Sequence, residues 1–135
     1  MTRSAALPRS IHARKGLCAL QRLRAFLAVE ATAFALAALT HFGVIATGHA
    51  HLKAAIAESV IGTVLLGALA WSLLRPAHTR RAALLAQGFA LFGTLVGVFT
   101  IVVGVGPRTA ADVVFHVAIV LVLAKGWIVA RRPHG

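Results

Sequence analysis

The segment EATAFALAALTH, Glu30 to His41, sets a carboxylate and an imidazole inside a run that is otherwise apolar from Phe26 to Gly48. Ionisable groups within such a run are costly in lipid and nearly always face a bundle interior or a water-filled cavity. Glu58 sits in a second apolar run, and Asp112 and His116 in the last one. Two imidazoles and two carboxylates suit a divalent transition metal. In that chemistry His41 and His116 bind through neutral ring nitrogens and Glu58 supplies an anionic oxygen. Asp112 is then a fourth ligand or an outer-shell partner of a histidine. The same two histidines, on adjacent helices, are also the ligands a haem iron would need, although no attachment motif accompanies them. A third chemistry is proton- or cation-coupled transport through Glu30 and Glu58. The fourth reading involves no ligand at all, because polar side chains also serve as hydrogen-bonded glue between membrane helices.

Spacing narrows these readings. Glu30 and His41 are separated by three helical turns to within about 20°, so they share one face, roughly 16 Å apart along the axis. Counted from the expected outer helix ends, His41, Glu58 and His116 each lie about six residues in, or roughly 9 Å. Three ionisable groups from three helices therefore share a level, with Asp112 one turn above His116. His49 and His51, in the short turn over this layer, read as an access point or as ordinary interfacial residues. Glu30 and Gln87 form a second polar layer nearer the opposite helix ends. Thr109 to Asp112 has capping-box spacing, so Asp112 also reads as the N-terminal cap of the last helix.

Positioning these residues falls to runs long enough to cross a bilayer, for which a helix needs about 20 apolar residues. The runs are 25–47, 52–74, 82–105 and 110–130, joined by TGHAHLK, RPAHTRR and GVGPRT. Short connections force antiparallel neighbours, so the expected fold is an all-α, integral-membrane, up-down-up-down four-helix bundle. Residues 1–24 are expected to be a basic cytoplasmic arm with a short interfacial helix from Ile11 to Arg24. Residues 25–130 form the membrane domain and 131–135 a basic tail. Gly93 and Gly97 make a GxxxG motif that suits either bundle closure or a homo-oligomer. Trp71 and Trp127 suit interfacial anchors.

The 135 residues are 59% hydrophobic, against nearer half in soluble domains. The net charge of +11 does not indicate nucleic acid. Its cations gather in residues 1–24, at Arg75, Arg80 and Arg81, and at Arg131 and Arg132, leaving Lys53 and Arg108 in the other connections. That asymmetry anchors a membrane protein with both termini in the cytoplasm, in a cytoplasmic inner membrane, with the lipid bilayer as its partner. Lys125 is placed to snorkel to the headgroups. The Arg-rich, acid-free start resembles a targeting presequence, but the apolar run after it exceeds a signal-peptide core. Cys18, the one cysteine, has no disulfide partner and reads as a bystander. Ser59 and Ser72 have no triad partner in sequence, and neither GxSxG nor a phosphate loop is present.

Glu30 in the first of four spans resembles the membrane-embedded acid of the small multidrug resistance family. The aromatic cage that family places around its acid is missing here, where there is no tyrosine, so its function is not carried over. The phrases HFGVIATGHAHLKAAIAESVIG and QGFALFGTLVGVFTIVVGVGPRTAADVVFHVAIV resemble a group of small bacterial four-span membrane proteins of unassigned function. That resemblance covers residues 26 to 130 and implies the fold without adding a mechanism.

Overall fold

A computed structural model describes residues 9–132. Four helices follow one another: α1 (Arg9–His41), α2 (Leu52–Leu74), α3 (Thr79–Val102) and α4 (Ala110–Arg131), with a 3-10 turn, Pro76–His78, between α2 and α3. Each packs on the next and α4 returns against α1, giving an up-down-up-down four-helix bundle. All four are long and apolar enough to cross a membrane, over Gly16–His41, Leu52–Leu74, Pro76–Val102 and Ala110–Arg131.

The side-chain distribution is that of a protein dissolved in lipid. Phe92, Phe99, Leu85 and Leu121 point outward, whereas Glu30, His41, Glu58, Gln87 and Asp112 are buried. Water would reverse that choice, since unpaired polar groups are costly only where nothing outside can hydrogen-bond them. The chain is a multi-pass membrane protein.

Four boundaries differ from those expected. The separate arm helix ending at Arg24 does not exist, because α1 is uninterrupted from Arg9 to His41. Neither proline nor glycine interrupts the sequence from Leu17 to Phe42, so nothing stops the helix there. The first span ends at His41 rather than 47, since Gly43 turns to φ 77° and the amides of Gly43 and Val44 close back on Thr40 and Leu39. Gly104, at φ 86°, ends α3 at Val102 in the same way. The third helix also begins early, at Thr79, because the turn started by Pro76 runs directly into it.

The helix faces that meet are narrow. Leu23, Leu27, Ala31, Phe34 and Ala38 define the buried stripe of α1 at three- and four-residue spacing, and α3 answers with Ala83, Ala86 and Ala90. Gly93 and Gly97 are used inside the chain. A Cβ at Gly93 would stand 2.9 Å from Ile61 Cδ1, and one at Gly97 would stand 3.1 Å from His116 Nε2.

Three arginines donate to carbonyls at helix C-termini, where intrahelical donors run out. Arg24 Nη2 donates to the Ser72 carbonyl of α2 at 2.6 Å. Arg80 donates to the carbonyls of Ala130 and Arg131 on α4, both at 2.8 Å. Arg108 donates to those of Ile101 and Val102 on α3, both at 2.7 Å. Each cation thus meets the negative end of a helix dipole.

Candidate functional site

Three helices deliver the first polar layer. His41 is the last residue of α1, Glu58 lies two turns into α2, and Asp112 occupies the first turn of α4. They converge because the α1–α2 connection folds back, with the His51 amide donating to the His41 carbonyl at 2.8 Å. His41 Nδ1 lies 2.8 Å from Glu58 Oε2, and Nε2 lies 3.1 Å from Asp112 Oδ1. All three side chains are buried. The imidazole is therefore bridged on both sides by carboxylates from two other helices.

Asp112 combines the local cap with the contact to His41. Its Oδ2 accepts from the Thr109 amide at 2.9 Å and from the Thr109 hydroxyl at 2.6 Å, while the Asp112 amide donates to Thr109 Oγ1 at 3.2 Å. That is a complete capping box. The other oxygen, Oδ1, is left for His41.

His116 is one turn further along α4. Its Nδ1–H donates to the Asp112 carbonyl at 2.8 Å, which leaves Nε2 facing α3 at Gly97. His116 joins Glu58, Thr94 and His51 in the wall of a cavity of about 190 Å³ between α2 and α3. On the other side of the layer, His41 and Asp112 line a groove of about 350 Å³ between α1 and α4 with Thr40 and Phe115. The bridge Glu58–His41–Asp112 thus separates two openings, one reached from Glu58 and the other from Asp112.

His51 accepts from the Ala54 amide at 3.2 Å, capping α2, and its ring forms part of the cavity's rim. His49 lies in the same connection but outside the cavity wall. Among the described residues no group of three His, Cys, Asp or Glu side chains is arranged to hold a metal ion. With both ring nitrogens facing carboxylates, His41 has none free for a haem iron, so the arrangement does not fit that cofactor.

The second layer joins the two residues expected there. Gln87 Nε2 donates to both oxygens of Glu30, each at 3.1 Å, and both side chains have no exposed surface. Gly126 of α4 makes the room. A Cβ there would collide with Gln87 Nε2 and stand 2.7 Å from Glu30 Oε1. Sequence reasoning missed Gly126, whose only signal is that it is a helical glycine between Lys125 and Trp127.

Comparison of the chain with protein-family models, with curated proteins and with solved structures finds no match in any of the three.

Proposed function

We propose that this protein is a proton-handling membrane protein, a proton- or cation-coupled carrier whose exchange station is the bridge Glu58–His41–Asp112. One observation carries the reading: a buried imidazole with each nitrogen on a different carboxylate, the two carboxylates opening on different sides of the bundle. Histidine and carboxylate chains are the groups from which membrane proteins build proton relays.

Counting protons gives the mechanism. Carboxylate oxygens donate nothing unless protonated, and a neutral imidazole has a single N–H. Two hydrogen bonds in the bridge therefore need two protons: an imidazolium between two carboxylates, or a neutral ring with one carboxyl protonated. These forms hold the same number of protons and interconvert by short shifts. A proton leaving Glu58 Oε2 breaks the O–H bond there and forms an N–H bond at His41 Nδ1. The proton on Nε2 then leaves the ring and forms an O–H bond at Asp112 Oδ1. The ring's charge is unchanged after both shifts, and a proton has moved from the α2–α3 cavity to the α1–α4 groove. Thr109 holds the receiving carboxylate still throughout. With the basic α2–α3 connection in the cytoplasm, this station lies beneath the external surface, and Glu30 with Gln87 forms a second station nearer the cytoplasm.

The test is proton movement in proteoliposomes under an imposed potential, followed with an enclosed pH dye. Wild-type protein is expected to acidify the lumen above empty vesicles, and His41→Ala and Asp112→Asn each to remove that signal. Wild-type vesicles that behave like empty ones would refute the reading.

A second reading, a divalent metal ion held by His41, Glu58 and His116, draws support from Asp112. Its carboxylate and its carbonyl each hold one ring nitrogen of the two histidines, as outer-shell partners of metal ligands do. It stands second because both ring nitrogens of His41 already face carboxylates. Near-stoichiometric metal in gently purified protein, abolished by His116→Ala, would reverse the order.

A further inference from the structure

Away from both polar layers, the basic end of the α1–α4 seam carries a different chemistry. Arg22 of α1 and Lys125 of α4 flank a groove of about 420 Å³ whose floor includes Phe26, Val29 and Leu121. A wider depression of about 800 Å³ shares Arg22, Phe26, Leu121 and Lys125 and adds Arg132. All three cations are exposed. The chain has three acidic side chains in total, and these are Glu30, Glu58 and Asp112, all buried in the layers described above. No carboxylate side chain is available to Arg22, Lys125 or Arg132. Neighbouring cations do have partners: Arg24 and Arg80 cap helix ends, and Arg131 lies 4.6 Å over the Trp127 ring.

We infer that this groove seats one anionic phospholipid, with its phosphate held by Arg22, Lys125 and Arg132 and the first part of an acyl chain lying on Phe26, Val29 and Leu121. Guanidinium and ammonium groups at the end of a membrane span attract anionic headgroups, and basic pockets between helices on that side bind them specifically. The apolar floor selects a lipid over a free phosphate. Val29 lies seven residues, roughly 10 Å, along α1 from Arg22 in the direction of the hydrocarbon. A soluble anion would leave that floor uncovered. The inference is independent of proton handling, since none of its residues belongs to either buried layer.

Native mass spectrometry of the full chain in detergent, titrated with phosphatidylglycerol or with phosphatidylcholine of the same acyl chains, tests it. One phosphatidylglycerol per chain is expected to be retained in preference, with affinity falling roughly a hundredfold when Arg22, Lys125 and Arg132 are all changed to Gln. Lys125→Glu alone, which leaves α1 untouched, is expected to produce much of that loss. Arg14→Gln with Arg81→Gln removes charge elsewhere and is expected to leave binding within a few-fold of wild type. Equal retention of the two lipids would overturn the inference, as would equal losses in the triple variant and the control pair. Displacement of the lipid by an equal concentration of inorganic phosphate would overturn it too, because chain contact would then contribute nothing.

Discussion

Asp112 gives one carboxylate oxygen to Thr109 and the other to His41, 3.1 Å away on another helix. A local cap and a long-range contact thus share a single side chain. The capping box in the first turn of α4 orients the carboxylate that faces His41.

The two roles separate by mutation. Thr109→Ala removes the hydroxyl half of the capping box, leaves the contact with His41, and is expected to cost about 1 kcal/mol. Asp112→Ala removes the carboxylate half of the box and also leaves a buried ring nitrogen without its partner, adding about 1–3 kcal/mol. Unfolding of the two variants in the same detergent gives the difference. Equal costs would mean that the contact with His41 contributes nothing to stability.

Removing the imidazole is expected to be worse than removing either carboxylate. His41→Ala leaves Glu58 and Asp112 buried without their shared partner, a loss of about 3–5 kcal/mol if either stays charged. Adding Glu58→Gln to His41→Ala is expected to recover part of that loss, since one of the stranded charges disappears. A double-mutant cycle on His41 and Glu58 measures the coupling, and strict additivity would contradict a direct bridge.

Much of this arrangement was legible in the sequence. Four runs of membrane-crossing length, a polar face on the first helix, the capping-box spacing of Thr109 and Asp112, and the pairing of Glu30 with Gln87 all follow from periodicity and depth. The level assigned to His41 did not, because it depended on where α1 ends. Apolar residues continue past Gly43, and hydropathy does not register that this glycine leaves the helix at φ 77°. His41 is consequently the last residue of its helix, and it meets Asp112 instead of standing level with His116. The arginine caps were illegible for another reason. Arg24 and Ser72, or Arg80 and Ala130, are distant in sequence, and charge counting assigns such residues only to a side of the membrane.

One of those caps offers a test of geometry against charge. Arg108 forks across the carbonyls of Ile101 and Val102. Arg108→Gln is expected to destabilise by about 0.5–1 kcal/mol, the exposed position limiting the effect. Arg108→Lys keeps the charge but loses the fork. If it restores full stability in thermal unfolding, attraction to the helix end suffices and the paired hydrogen bonds are incidental.

The second layer has a steric requirement that Gly126 alone meets. Its Cα faces the Glu30–Gln87 pair so closely that the Cβ of Gly126→Ala would collide with the amide nitrogen. Overpacking at such a site costs about 1–3 kcal/mol, and here the displaced groups also lose the hydrogen bonds that make their burial tolerable. Shortening the obstacle should relieve the clash, so Gly126→Ala combined with Gln87→Ala is expected to lose less stability than the two single changes summed. Thermal unfolding of the four proteins in one detergent decides the matter. Additive losses would place the introduced methyl somewhere other than against Gln87, and the close approach of α4 to this pair would be wrong.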